Sequence, residues 1–237
     1  CNGLDDTIES GHYTSAYDVA LMSRELVTKY PQISDYSTVW MDSITHTNSK
    51  GVTSEFGLTN TNKLIRSYKG ITGLKTGSTS KAKYCLSATA RRDGMDLISV
   101  IMAAPDHKAR FSEAARLLDL GFANCKLYTD SIENFGCHKI PVKGSMTKEI
   151  IIRPEASFSY TFTNNENTTA VDKKLIVNEA AAAPVCKGDV VGKIEYSYNG
   201  NTLGSVNLIA DSDAPTASFT DYLGALYKNY ILLRYSL

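Results

Sequence analysis

The stretch GITGLKTGSTSKAKYC, residues 70–85, carries the pattern that decides the predicted fold of this chain. Its first half reads as a β-strand that ends in Lys75-Thr76-Gly77, and a polar turn leads into a second strand. The tripeptide suits a carboxylate ligand, because Lys75 supplies charge, Thr76 supplies a hydroxyl donor and Gly77 allows close approach of a peptide backbone. An isolated Lys-Thr-Gly is weak evidence for a carboxylate-binding site, because the same tripeptide also occurs in ordinary surface turns. The surrounding sequence must distinguish the two.

The segments around this tripeptide predict an antiparallel meander followed by a helix. Apolar runs at 71–78, 83–91 and 95–103 read as three strands, and Asp93-Gly94 is a strong hairpin signal between the last two. Asp106 is a suitable cap for a helix whose apolar residues recur at helical spacing up to Gly121. We expect this helix to pack on the sheet.

The residues before the tripeptide predict one helix and a polar connection. Apolar positions at helical spacing indicate a helix over 14–30, with Thr14 or Ser15 as its cap and Pro31 as its stop. Residues 35–69 are rich in Thr, Ser and Asn. We therefore expect a loop with brief strands there.

The C-terminal half changes to short alternating segments separated by Gly, Pro and Asn, which indicates a small all-β domain. The last segment has an amphipathic helical pattern, interrupted by Lys228 and Arg234, that is too charged and too short to cross a membrane cleanly. Its predicted apolar face is formed by Phe219, Tyr222, Leu226, Tyr230 and Leu233. The predicted fold is therefore α+β, divided into 1–124, 125–211 and a membrane-proximal helix at 212–237.

Composition excludes several functional classes. The 237 residues contain 25 Lys and Arg against 25 Asp and Glu, so no basic field favours a nucleic-acid partner. The five cysteines are widely spaced and most are expected to be buried thiols, although Cys125 and Cys137 are close enough in sequence to pair. The four histidines lack metal-ligand spacing, so we expect no metal and no other cofactor.

The chain resembles the bacterial D-alanyl-D-alanine carboxypeptidases, the low-molecular-mass penicillin-binding type of serine peptidase. The resemblance is carried by NGLDD, YTSAYDVALMSREL, GITGLKTGSTSKAKYCLSATA, MDLISVIMAA and RFSEAARLLDLGF, within residues 2–122. It implies the C-terminal portion of a penicillin-binding or β-lactamase type of domain. The β-domain and last helix match the family architecture in outline.

This resemblance implies removal of the terminal D-alanine from peptidoglycan pentapeptides through an acyl-serine intermediate, with β-lactam antibiotics as acylating mimics. Lys75, Thr76 and Gly77 would bind the substrate carboxylate and backbone, and Arg110 matches a family arginine near that carboxylate. The backbone N–H of Ser78 would be an oxyanion donor. The implied location is extracytoplasmic, in the bacterial cell envelope, at the outer face of the cytoplasmic membrane.

The two upstream motifs of this family, Ser-x-x-Lys with the nucleophile and Ser-x-Asn, do not precede Lys75 in the sequence. Residues that match these motifs in sequence begin at Ser78, Ser145 and Ser197. All three follow Lys75 instead of preceding it, and their predicted secondary structure differs from that of the family motifs. The start, CNGLDDTIES, lacks an initiator Met, so we expect a fragment or a processed product whose nucleophile lies in a missing segment, either upstream or on a separate chain. The alternatives are a non-catalytic peptidoglycan-binding module and a serine β-lactamase relative.

Overall fold

The structure, a computed structural model, describes residues 13–163 and 166–230, and the chain divides into two compact units between Cys125 and Lys126. The elements of the first unit are α1 Ala16–Lys29, α2 Ile33–Ser37, β1 Met41–Thr47, β2 Thr53–Thr59, α3 Leu64–Ser67, β3 Ile71–Thr79, β4 Lys83–Arg92, β5 Met95–Ala104 and α4 Ala109–Asn124. Those of the second are β6 Lys126–Asp130, β7 His138–Lys143, β8 Glu149–Pro154, β9 Phe158–Phe162, β10 Val171–Val177, β11 Ala181–Ala182, β12 Val190–Tyr198, β13 Asn201–Ala210 and α5 Phe219–Tyr230, with 3-10 turns at Ile132–Phe135 and Thr168–Ala170.

The first helix begins where its capping residues predict. Ser15 is the N-cap of α1: its hydroxyl accepts from the Asp18 amide at 3.1 Å, and the Asp18 carboxylate accepts from the Ser15 amide at 3.0 Å. The Ser15 hydroxyl also donates to this carboxylate, and these bonds hold the pKa of Asp18 below its usual value. The helix ends immediately before Tyr30 and Pro31, which confirms the predicted bounds to within two residues.

The predicted meander is confirmed as a three-stranded antiparallel sheet of order β3-β4-β5. The helix α4 packs on one face of this sheet, where the buried residues are Leu64, Leu86, Ala88, Ala90, Phe111, Ala114 and Leu118. Gly121 permits this close packing, because a Cβ at its position would lie 2.7 Å from a methyl carbon of Leu97. Asp106 accepts hydrogen bonds from the amides of Lys108 and Ala109 at 2.8 and 2.9 Å, as expected of a cap.

The segment between α2 and α3 is more regular than the sequence predicts. β1 and β2 form a seven-pair antiparallel hairpin, from Met41 opposite Thr59 to Thr47 opposite Thr53. Every residue of both strands is exposed. Since neither face is buried, no apolar alternation marks these strands, and the sequence therefore predicts only brief ones.

The second unit is built on a six-stranded sheet of order β10-β12-β13-β8-β7-β11, accompanied by a separate antiparallel pair, β6 and β9. Its buried residues are Ile140, Val142, Ile150, Ile152, Phe158, Val185, Ile194, Tyr196, Leu208, Ala210 and Ala214. The Tyr196 ring stacks on Phe158 at 3.9 Å between centroids, and its hydroxyl donates to Asp130 at 2.8 Å. Burial and this bond raise the pKa of Tyr196 well above its usual range.

The last helix of the described chain, α5, has exposed apolar side chains: Phe219, Tyr222, Leu223, Leu226 and Tyr227. Ser218 caps its first turn: the Ser218 hydroxyl accepts from the Asp221 amide at 3.3 Å, and the Asp221 carboxylate accepts from the Ser218 amide at 2.8 Å. Leu233 and Arg234 lie outside the described residues. No helix within the described ranges is long and apolar enough to cross a membrane.

The prediction that most cysteines are buried is wrong for the described residues. Cys85 and Cys125 are partly buried, Cys137 and Cys186 are exposed, and all four are free thiols. Cys137 and Cys186 are exposed because both lie in connections between strands rather than on the core face of a strand. Cys1 is outside the described residues.

Candidate substrate-binding site

The Lys-Thr-Gly tripeptide lies on β3, an edge strand of the three-stranded sheet. Pairing with β4 places Lys75 opposite Ser87 and Thr76 opposite Leu86. Thr76 is buried, with 7% of its surface exposed, whereas Lys75 is exposed.

All five residues that the sequence predicts for the site line one open cleft of about 730 Å³ in the first unit. β3 contributes Lys75, Thr76, Gly77 and Ser78, and α4 contributes Arg110. The same cleft is lined by Val19 of α1, Ser87 of β4 and Thr61 of the connection between β2 and α3. Its walls therefore bring two cationic groups close to several hydroxyls, an arrangement suited to a carboxylate.

Lys75 contributes a positive charge that is not neutralised locally. Its Nζ donates to the carbonyl oxygen of Thr76 at 2.5 Å, which holds the ammonium group against its own strand. No described carboxylate lies within ion-pair distance of Lys75. An anionic ligand entering the cleft would thus meet a cation that has only a carbonyl partner.

Arg110 is buried at the head of α4, with 9% of its surface exposed. Its Nη1 donates to the carbonyl oxygens of Gly77 at 3.2 Å and Cys85 at 3.4 Å, and its guanidinium lies 4.8 Å from the Phe111 ring centroid. The buried Nε has no hydrogen-bond partner among the described residues. Arg110 therefore links β3 to β4 through one of its nitrogens. Because a guanidinium has five N–H groups, Arg110 still has an N–H group that can donate to a ligand.

Thr61 lines the cleft from within three consecutive polar residues, and no motif in the sequence pointed to them. Asn60, Thr61 and Asn62 follow β2 directly, and Thr61 Oγ1 lies 2.5 Å from Thr76 Oγ1. The available signal was the Asn-x-Asn pattern, because asparagine side chains commonly fix the backbone of such turns. Nothing in the sequence, however, indicated that this turn reaches β3.

The motif matches that begin at Ser78, Ser145 and Ser197 have the secondary structure expected for them. Ser78 is in β3 and Lys81 is in the following turn, so this pair does not share a helical face. Ser145 lies in a bend, and Ser197 is near the end of β12. No group of three or more potential metal ligands occurs within residues 13–163 and 166–230.

Comparison with known sequences finds family matches over most of the chain. The family model described as D-alanyl-D-alanine carboxypeptidase matches residues 1–106, and that of the penicillin-binding protein 5 C-terminal domain matches residues 127–216. The D-alanyl-D-alanine carboxypeptidase DacF of Bacillus subtilis is 32% identical over 215 residues, which are 91% of this chain and 54% of that protein. DacA of Haemophilus influenzae is 29% identical over 91% of this chain and 52% of its own length. The chain thus spans about half the length of these curated relatives.

Solved structures share the fold. Penicillin-binding protein 5 from Haemophilus influenzae superposes with a TM-score of 0.62 at 26% identity, covering 86% of this chain and 57% of that one. The fold is that of the penicillin-binding proteins that carry a C-terminal β-domain. Residues 1–106 are thus similar to the D-alanyl-D-alanine carboxypeptidases, and residues 127–216 are similar to the C-terminal domain of penicillin-binding protein 5.

Proposed function

We propose that this chain forms the carboxylate-binding part of a serine D-alanyl-D-alanine carboxypeptidase, which removes the terminal D-Ala of peptidoglycan pentapeptides and binds β-lactam antibiotics. The observation that carries this proposal is the cleft in which Lys75 and Thr76 of an edge strand lie near Arg110. The names of the relatives, all D-alanyl-D-alanine carboxypeptidases, support the same activity.

The edge position of β3 suggests how a peptide would bind. An extended peptide pairs with an exposed sheet edge by backbone hydrogen bonds, and this alignment would bring its C-terminal carboxylate to Lys75 and Thr76. Gly77 leaves its side-chain position open, since a Cβ there would have no atom within 4 Å beyond its chain neighbours, so a ligand backbone can approach it. The Ser78 amide would then donate to the developing oxyanion.

The acyl-serine step needs a nucleophile with a base in hydrogen-bond reach, and the sequence has no Ser-x-x-Lys before Lys75. We expect the isolated chain to form no covalent adduct with a labelled penicillin. A longer protein that joins a Ser-x-x-Lys segment to this chain should be labelled on that serine.

Mass spectrometry after penicillin treatment tests this proposal directly. An adduct on Ser78, Ser145 or Ser197 of the isolated chain would contradict the assignment of the nucleophile. Absence of labelling in the longer protein would favour a non-catalytic peptidoglycan-binding module. Rapid turnover of the antibiotic would favour a serine β-lactamase relative.

We also propose that α5 binds the outer face of the cytoplasmic membrane, which would place the protein outside the cytoplasm. Its apolar residues are exposed, as in helices that lie in a membrane interface. Sedimentation with anionic lipid vesicles should retain the chain, and Leu226→Glu should release it, whereas Thr220→Glu on the same helix should not. Equal retention of all three proteins would refute the role of α5.

A further inference from the structure

The hydroxyl of Thr61 makes a direct side-chain contact with the tripeptide, at a residue for which the proposed function gives no role. Thr61 Oγ1 and Thr76 Oγ1 are 2.5 Å apart, a hydrogen bond in which either atom can be the donor. Both residues line the cleft, with Thr76 buried and Thr61 exposed at its wall. Any group that binds to the Thr76 hydroxyl must therefore accommodate this bond.

The position of Thr61 is fixed by its two neighbours. The Asn60 amide group donates to the carbonyls of Ser37 at 3.1 Å and Val39 at 2.9 Å, and its Oδ1 accepts from the Asn62 amide at 2.9 Å. The buried Asn62 donates to the carbonyl of Gly73 on β3 at 3.1 Å. Thr61 is thus held between a bond to the α2 region and a bond to the strand that carries Thr76.

The count of protons determines what this pair can do. A threonine hydroxyl has one proton to donate and two lone pairs that accept. A bound carboxylate only accepts, so Thr76 must give its proton to the carboxylate. Thr76 can then keep its bond to Thr61 only as the acceptor, with Thr61 as the donor.

We propose that Thr61 is a positioning residue that donates to Thr76 Oγ1 and so directs the Thr76 proton towards a carboxylate ligand, a role that rests on the proposed function. The donated bond fixes the Thr76 hydroxyl in one orientation and polarises it, which strengthens the bond that Thr76 donates. Thr61 thereby favours ligands ending in a free carboxylate over the corresponding amides. The ligand class is a peptide with an ionised C-terminus.

The test uses the full chain and two acetylated tripeptides that end in D-Ala-D-Ala, one with a free carboxylate and one amidated. Dissociation constants are measured by NMR titration of backbone amides in β3. Thr61→Val keeps the shape and removes the hydroxyl, and Thr61→Ser keeps the hydroxyl. Since one neutral hydrogen bond is worth about 0.5–1.5 kcal/mol, Thr61→Val should weaken carboxylate binding by about two- to tenfold.

The pattern across ligands and variants separates positioning from a structural effect. We expect Thr61→Val to leave binding of the amidated peptide unchanged, Thr61→Ser to restore carboxylate binding, and Thr61→Val to add no loss in a Thr76→Val background. Equal weakening of both peptides, or no weakening, overturns the role of Thr61. If the unaltered chain does not prefer the carboxylate, the proposed carboxylate recognition itself fails, and the Thr61 proposal fails with it.

Discussion

The buried hydroxyl pair Ser23–Ser87 gives a prediction about the packing of α1 against the strand that lines the cleft. Ser23 Oγ of α1 lies 2.7 Å from Ser87 Oγ of β4, and Ser87 is the residue opposite Lys75. Ser23 also donates to the carbonyl of Val19 at 2.7 Å. Because a carbonyl only accepts, the single Ser23 proton is used there, and Ser87 must be the donor within the pair.

This assignment makes the two alanine substitutions unequal. Ser23→Ala leaves the buried Ser87 hydroxyl without its acceptor, which costs about 1–3 kcal/mol, reduced by up to about 0.5 kcal/mol through the better helix propensity of alanine. Ser87→Ala leaves the Ser23 proton bonded to Val19 and loses one neutral hydrogen bond, about 0.5–1.5 kcal/mol. The double variant removes donor and acceptor together, so its cost should fall below the sum of the two.

Urea unfolding followed by tryptophan fluorescence measures the unfolding of the first compact unit, which contains Ser23 and Ser87. Trp40 is the single tryptophan of the sequence, and it lies in this unit, directly before β1. Ser112→Ala is the matched control: Ser112 is an exposed helical serine whose hydroxyl donates to the Ala109 carbonyl at 3.1 Å. The control should change the free energy of unfolding by less than about 0.5 kcal/mol. A larger cost for Ser87→Ala than for Ser23→Ala, or strictly additive costs, would refute the assigned donor.

Two further predictions concern tyrosines. Tyr196→Phe removes the bond to Asp130 and should lower the stability of the β-domain by about 1.5–3 kcal/mol in urea unfolding followed by circular dichroism, whereas Tyr160→Phe should change it little; equal effects would contradict the role of this bond. Burial and the hydrogen bond to Asp119 raise the pKa of Tyr68 from 10.0 to about 12, so its folded state retains the proton longer than its unfolded state. The stabilisation from this raised pKa is complete below pH 10 and is lost as the pH rises towards 12. In urea unfolding followed by Trp40 fluorescence, Tyr68→Phe should therefore reduce the fall in the free energy of unfolding between pH 10 and 12. An unchanged fall would argue against this role of Tyr68.

Local signals in the sequence were sufficient to predict the strands and the helix that surround the tripeptide. Asp93-Gly94 specifies the turn between β4 and β5, and Ser15 with Asp18 specifies the start of α1. These features act over a few residues, so they are visible without the fold. The placement of Lys75 on a strand followed from such local patterns, whereas the cleft beside it was expected from the family resemblance.

The contacts that complete the cleft join residues far apart in sequence, and no local pattern reveals them. Thr61 meets Thr76 across fifteen positions, and Ser23 meets Ser87 across sixty-four. Arg110 was expected at the cleft from the family resemblance. Its two bonds to strand carbonyls could not be predicted, because they depend on how α4 packs on the sheet.

The solvent exposure of the β1–β2 hairpin has a consequence for how this chain can vary. Each of its fourteen strand residues is exposed, so a core places no demand of size or polarity on them, and backbone pairing tolerates most replacements. β4 is the opposite case, with five consecutive buried residues from Leu86 to Ala90. Foreign sequences grafted into the hairpin should therefore leave the sheet intact, whereas homologous chains can diverge in β4 only by small, compensated changes.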